Sequence, residues 1–294
     1  MEYKSVSEIA NLWGISARSV RNYCSLGRIE GAKLEGKTWM IPACSIKPSR
    51  KDKKTKLVDI LLNEKKTKIK GGIYHKIQVD LTYNSNRIEG SKLSHDQTRY
   101  IYETNTVGLT NEVTNIDDII ETVNHFKCID YIIDNYKSSI TPSFIKTLHK
   151  MLKTLTSDSN TDWFVVGDYK KMPNEVGGVH TTDPKDVSNE INKLLEWYNC
   201  KTKKTIEDII EFHYKFETIH PFQDGNGRVG RLLMFKECLK HNIVPFVISD
   251  DIKLFYYRGL KEWNNTKGYL MDTCLFAQDQ FKKVLNYYKI DYRK

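Results

Sequence analysis

The sequence predicts a mainly α-helical chain, with a short hairpin inside its helical body and a small helix-turn-helix module with a β wing in front. Three observations carry this. Apolar residues recur at helical spacing through most of the chain beyond residue 116. The segment Val165–Val179 breaks that rhythm with Gly, Pro and β-branched residues, which suggests a hairpin flap. The first 48 residues hold two short helical patterns followed by a hairpin pattern. Hydrophobic residues at 39% and charged residues at 28% suit a soluble, core-forming chain rather than a disordered one.

In order along the chain, Ser5 and Ser7 offer caps to a first helix with Ile9, Leu12 and Trp13 at helical spacing. Gly14-Ile15-Ser16 reads as a tight turn. A second helix follows over about Ala17–Ser25, with Val20, Tyr23 and Cys24 inward, Arg18, Arg21 and Asn22 outward, and Gly27 ending it. Ala32–Leu34 and Thr38–Ile41 then pair around Glu35-Gly36. Residues 1–48 are similar to excisionase-type winged helix-turn-helix domains, through Val6-Ser-Glu-Ile-Ala, Arg18-Ser-Val-Arg21, Gly27-Arg-Ile29 and Thr38-Trp-Met-Ile-Pro42. That likeness implies DNA contacts from Arg18, Arg21 and Lys37, with Arg28 and Lys33 as further candidates; docking of a protein is the competing use of such a module.

Residues 49–70 read as a basic linker, partly helical because Leu57, Ile60 and Leu61 recur at helical spacing. Lys47, Arg50, Lys51, Lys53, Lys54, Lys56, Lys65, Lys66, Lys68 and Lys70 supply much of the net charge of +9, which leans toward anionic partners. From 71 to 294 helices are expected over Ile116–Ile133, Pro142–Leu155, Val187–Tyr198, Ile206–Ile219, Val229–His241, Ile252–Trp263 and Tyr269–Tyr288. The apolar runs are too short for a membrane span. The N-terminus has no apolar signal core, which points to the cytoplasm. Six cysteines without a Cys-x-x-Cys pair read as reduced core residues.

The densest chemistry lies in His220-Pro-Phe-Gln-Asp-Gly-Asn-Gly-Arg-Val-Gly-Arg231. Pro221 disfavours helix at the residue before it, so the helix over 206–219 ends at His220. His220 alone in this stretch has an ordinary pKa near neutrality, which makes it the candidate general base. Asp224 is a hard oxygen ligand suited to Mg²⁺ on a di- or triphosphate. Gly225 and Gly227 around Asn226 let backbone N–H groups converge at the start of a new helix, a natural phosphate site. Arg228 and Arg231, three apart, each add a grip on a phosphate.

Taken in order, these residues resemble the Fic family signature, His-Pro-Phe-x-Asp/Glu-Gly-Asn-Gly-Arg-x-x-Arg, at every specified position. The likeness extends upstream to Phe212-His-Tyr-Lys-Phe-Glu-Thr-Ile219 and to the flap-like Gly167-Asp-Tyr169 and Pro173-Asn-Glu-Val-Gly-Gly178. It implies a helical Fic core over 71–294 that transfers AMP from ATP to a Tyr, Thr or Ser hydroxyl of a protein and releases pyrophosphate. His220 would be the base and Asp224 would hold Mg²⁺. Gly225, Asn226 and Gly227 would form the anion hole, with Arg228 on the β-phosphate and Arg231 on the γ-phosphate. Phe222 joins the nucleotide-binding positions by resemblance, and reads with Phe216 as a core anchor by its own apolar character. Glu175, Val176, Gly177 and Gly178 would align a target segment as an added strand, or simply connect two helices.

Ser85-Asn-Arg-Ile-Glu89-Gly90 resembles the inhibitory Ser/Thr-x-x-x-Glu-Gly/Asn motif of many Fic proteins. It implies an inhibitory helix over about 80–90, in which Glu89 occupies Arg231 and Ser85 helps hold the helix. Removal of AMP is a further activity that the matching Glu supports in some relatives. His213 reads as a structural brace. Tyr256, Tyr257 and Trp263 are candidates for stacking on a base, although core packing is the commoner fate of such rings. The alternative function is a DNA-binding transcriptional regulator with a nucleotide-sensing Fic domain. Oligomeric state stays open, a homodimer included.

Overall fold

The computed structural model describes residues 2–48, 55–108 and 113–292. Arg50, Lys51, Lys53 and Lys54 of the basic run lie outside the described residues. The chain divides into two compact units, Met1–Lys54 and Thr55–Lys294.

The smaller unit runs β1 (Tyr3–Ser5), α1 (Val6–Trp13), α2 (Ala17–Ser25), β2 (Lys33–Glu35) and β3 (Thr38–Pro42). Ser5 starts α1 through a capping box, accepting from Glu8 N while the Glu8 carboxylate accepts from Ser5 N at 2.8 Å. Gly14 ends α1 at φ 62, a conformation open to a residue without Cβ, and Ser16 caps α2. The sheet order is β1-β3-β2, all antiparallel, with Glu35 facing Thr38 across a Gly36-Lys37 turn. Strand β1 was not legible in advance: three residues pair with β3, about 37 positions away, and carry no local signal. Val6, Ile9, Val20, Cys24, Ile29 and Ile41 form this unit's core.

The larger unit contains α3 (Leu57–Thr67), α4 (Ile73–Ile88), α5 (His95–Thr104), α6 (Ile116–Asp134), α7 (Pro142–Lys153), β4 (Glu175–Val176), β5 (Val179–His180), α8 (Val187–Asn199), α9 (Ile206–Ile219), α10 (Asn226–His241), α11 (Lys253–Lys261) and α12 (Gly268–Tyr287). None of the described helices is long and apolar enough to cross a membrane. Helix α3 buries Val58 and Leu61 in the main core, so this part of the basic stretch packs on the helical body while its lysines stay outward.

Helix α10 is the axis of the unit. Every residue from Arg228 to Leu239 is buried, and α9, α6, α4 and α7 pack around it. A helix covered on every side needs no amphipathic stripe, and its charged members must find partners. Lys236 accordingly donates to Glu237 at 2.6 Å, and the Tyr198 hydroxyl donates to Glu237 at 2.9 Å. Gly230 lets α9 approach: a Cβ there would collide with Glu217 and lie 2.8 Å from the His213 ring.

Several boundaries differ from the sequence expectation. Helix α7 stops at Lys153, with Leu155 in the left-handed region at φ 67. Helix α10 begins at Asn226 rather than Val229, and α11 is shorter than expected, Lys253–Lys261 behind a 3-10 turn at Asp250–Ile252. The flap is reduced to a pair of two-residue strands, joined by Gly177 and Gly178 at φ 57 and 79, as a tight hairpin turn requires. Residues 165–174 carry no strand, and Pro173 has no N–H to offer one. Cys24, Cys128, Cys238 and Cys274 are buried free thiols, whereas Cys44 and Cys200 are exposed rather than in the core.

Candidate active site

Helix α9, the loop 220–225 and helix α10 present the motif as one continuous turn. His220 caps α9 in the left-handed region (φ 51, ψ 62), and its N–H still donates to Phe216 O at 3.0 Å. Asn226 closes the loop from within. Its side chain accepts from Phe222 N at 2.8 Å and donates to Phe222 O at 2.8 Å. Gly225 caps α10 at φ 82, and the N–H groups of the first helical turn face forward without intrahelical partners.

Burial lowers the His220 pKa to about 4, the Lys170 ammonium adds to the shift, and the Glu217 backbone carbonyl partly offsets it. The imidazole is therefore neutral and able to accept a proton at neutral pH. Its Nδ1 is buried without a hydrogen-bond partner. Asp224 lies well below the usual carboxylate range: burial opposes ionisation, but Arg228 and Lys153 outweigh it. Its Oδ2 accepts from Lys153 Nζ at 2.7 Å and from Arg228 Nη2 at 3.1 Å.

Arg228 also pairs with Glu121 of α6, and Lys153 donates to that same carboxylate at 2.6 Å and to Asp158 at 3.1 Å. Glu121, Lys153 and Asp158 escaped the sequence reading. They come from separate helices and a 3-10 turn, and each looks like an ordinary surface charge in its own segment.

Arg231 is buried, and its Nε and Nη2 are both engaged. Nε donates to Ser85 Oγ at 3.0 Å, and Nη2 donates to Ser85 O at 2.9 Å and to Glu89 Oε1 at 2.6 Å. Glu89 is the C-cap of α4, and its side chain keeps 30% exposure. The same carboxylate presses on the glycine turn: a Cβ on Gly227 would collide with Glu89 and stand 2.9 Å from Arg231 Nη1. Glu89 thus lies where α10 offers its first N–H groups.

Behind Arg231, His213 is wholly buried and bonds Tyr256 Oη through Nε2 at 2.6 Å. Burial holds the His213 pKa at about 3 and pushes Glu217 up to about 8, although Arg231 pulls Glu217 the other way.

The flap strands flank Gly177 and Gly178, with Glu175, Val176 and Val179 exposed. Their base is tied to the motif. Asn174 Nδ2 donates to Phe222 O at 3.0 Å, Lys170 N donates to Pro221 O at 2.9 Å, and Lys170 Nζ reaches Asn174 Oδ1 at 2.7 Å.

Three aromatic side chains of the sequence reading lie in the core. Phe222 is fully buried and stacks on His149 at 3.9 Å, so its ring anchors the loop, in line with its apolar character. Tyr256 and Trp263 are core residues at 1% and 2% exposure and present no face to a base. Tyr257 is half-exposed, with its hydroxyl donating to Ile88 O at 2.8 Å. In the smaller unit Arg18, Arg21 and Lys37 are exposed.

Among the described residues no group of three or more His, Cys, Asp or Glu side chains is arranged to hold a metal ion. Asp224 fits a metal in another way: it is ionised, half-exposed and set beside the glycine turn that opens α10. Mg²⁺ commonly uses one or two carboxylates and completes its shell with phosphate oxygens and water.

Residues 139–238 match the family model described as "Fic/DOC family". Over that segment the chain is similar to Fic domains. The matched segment holds α7, the flap, α8, α9 and nearly all of α10, and so the whole of the motif. Relatives include the protein named "Protein adenylyltransferase Fic" of Aedes aegypti, 28% identical over 209 residues that make up 70% of this chain and 40% of that protein. The protein of the same name from Drosophila melanogaster is 29% identical over 211 residues, 70% of this chain and 41% of that one. The chain therefore spans about two fifths of the curated relatives it matches. Among solved structures, a Fic domain containing signaling protein from Bacteroides thetaiotaomicron superposes with a TM-score of 0.63 at 22% identity, covering 81% of this chain and 98% of that one. Fic-1 (residues 134–508) from C. elegans gives 0.62 at 20%, covering 79% and 71%. These likenesses establish that the Fic fold extends well beyond the matched segment.

Proposed function

We propose that this chain is a protein adenylyltransferase that moves AMP from ATP to a hydroxyl side chain of another protein and is restrained by its own Glu89. The observation that carries the reading is the convergence, on one turn, of a neutral buried His220, an ionised Asp224, the glycine cradle 225–227 and two buried arginines. The names of the relatives agree with it.

In this reading the target's hydroxyl oxygen attacks the α-phosphorus of ATP and gives its proton to His220. The new phosphorus–oxygen bond forms as the bond to the β-phosphate breaks, and pyrophosphate leaves. The free N–H groups of the first α10 turn and Arg228 stabilise the phosphate charge, and Arg231 is the natural partner for the terminal phosphate. Mg²⁺ on Asp224 would supply charge neutralisation at the phosphates. Exposed strand edges at Glu175–Val176 and Val179–His180 suit pairing with an extended segment of the target, next to His220 through the Lys170 and Asn174 anchors.

Restraint follows from competition. Glu89 holds Arg231 at 2.6 Å and crowds Gly227, so a terminal phosphate and the Glu89 carboxylate claim the same partner and the same space. The Glu89→Gly chain incubated with labelled ATP and Mg²⁺ is expected to label itself or a lysate protein, and silence across both would sink the reading.

A second reading concerns residues 1–54, which form a compact unit of their own with Arg18, Arg21 and Lys37 exposed. This supports an added role as a DNA-binding module. Salt-dependent retardation of duplex DNA by the full chain, lost in the Arg18→Ala/Arg21→Ala variant, is the expected result. Retardation that the variant keeps would remove this role.

A further inference from the structure

Lys153 is the last residue of α7 and is only 3% exposed, yet its ammonium ends among three carboxylates. Nζ lies 2.6 Å from Glu121 Oε1, 2.7 Å from Asp224 Oδ2 and 3.1 Å from Asp158 Oδ2. Arg228 shares two of these partners, Glu121 and Asp224. A buried lysine needs such company, because its desolvated charge is otherwise too costly to keep. The converse matters more. Asp224, the carboxylate read as the metal ligand, already has two cations on one and the same oxygen.

We propose that Lys153 is a resident counter-ion for Asp224, which makes metal binding at that carboxylate conditional on the nucleotide. The inference rests on the reading of Asp224 as the metal-binding carboxylate. A divalent ion arriving alone meets the ammonium at 2.7 Å and the guanidinium at 3.1 Å from the oxygen it needs. Among the described residues no group of three or more His, Cys, Asp or Glu side chains is arranged as a protein-only shell. A triphosphate changes both conditions. Its negative charges draw Arg228 and Lys153 toward the phosphates, and its oxygens supply the ligands that the protein lacks. Of five charged groups three are anionic, so the cluster carries a formal charge of −1 with Lys153 and −2 without it. Lys153 is in this account a positioning residue: it keeps Asp224 ordered and ionised, and it sets the order in which metal and nucleotide enter.

The test uses Mn²⁺ alone as probe, read from the loss of its free EPR signal, with the full chain and no nucleotide. Lys153→Gln and Lys153→Met are expected to bind Mn²⁺ at least about tenfold more tightly than wild type, since each unmasks one carboxylate charge. Lys153→Arg keeps the charge and is expected to bind as weakly as wild type. Adding Asp224→Asn to Lys153→Gln is expected to abolish the gain. Circular dichroism checks that each variant is folded. Equal affinity for wild type, Lys153→Gln and Lys153→Met overturns the proposal. So does wild-type binding of Mn²⁺ with a Kd below about 0.1 mM, a result that needs no variant at all. A gain that survives Asp224→Asn overturns the assignment of Asp224 instead. None of these readouts depends on AMP transfer, so they stand apart from the success of the proposed activity.

Discussion

Glu89 Oε1 lies 2.6 Å from Arg231 Nη2, joining the end of α4 to the first turns of α10 across 142 residues of sequence. The pair is half open. Arg231 is buried, whereas Glu89 keeps 30% of its side chain exposed and can leave without unpacking a core. If the pair acts as the proposed brake, removing one carboxylate releases it, while Arg231 stays braced by Ser85 and Tyr256.

In the proposed restraint Ser85 has the smaller part. It accepts from Arg231 Nε at 3.0 Å, and a hydrogen bond to a charged donor is worth about 1.5–3 kcal/mol. Ser85→Ala is expected to raise nucleotide affinity by several-fold, less than Glu89→Gly does. Calorimetric titration with ATP and Mg²⁺ measures both. A Ser85→Ala effect equal to or larger than that of Glu89→Gly would contradict the division of roles.

Much of this site could be read from the chain alone because it is local. His220 to Arg231 spans one helix end, one turn and one helix start, and the proline and glycines that shape it are visible as residues. The Ser85 and Glu89 pattern was legible for the same reason: four positions along one helix set its face. What stayed hidden depends on packing. Lys153 reads as a surface lysine until α7 is laid against α6 and the motif loop. Tyr256 and Trp263 resemble base-stacking aromatics in sequence, and only the closure of α11 and α12 over α9 buries them.

Gly230 tests the closeness of α9 and α10. A methyl group there would collide with Glu217 and meet the His213 ring at 2.8 Å. Overpacking of this kind costs about 1–3 kcal/mol. Gly230→Ala should lower the urea midpoint accordingly without changing the far-ultraviolet spectrum at low denaturant. An unchanged midpoint would mean that the two helices separate more easily than their packing implies.

Acid sensitivity should be marked. His125, His149 and His213 are buried, and burial pushes each down to about 3 from an ordinary value near 6.5. Their neutral forms favour the fold. The stability they contribute is therefore present above about pH 6.5 and is lost as pH falls toward 3, at about 1.4 kcal/mol per pH unit for each group. Denaturation series from pH 7 to 5 should show a steep fall in stability. A flat profile over that range would show that these rings are hydrated.

His220 should titrate far below an ordinary histidine, at about 4, by NMR of the ring protons in folded protein. Burial is the main cause and Lys170 the second, so Lys170→Met is expected to raise the midpoint without restoring it to 6.5. A wild-type midpoint near 6.5 would place His220 in solvent and weaken its assignment as a pre-formed neutral base.

The account turns on whether His220 transfers chemistry that Glu89 withholds. The most direct measurement is incorporation of label from α-labelled ATP with Mg²⁺, compared among wild type, Glu89→Gly and Glu89→Gly/His220→Ala. The account predicts strong labelling by Glu89→Gly alone, with wild type far lower and the double variant at background. Equal labelling by Glu89→Gly and the double variant would contradict it.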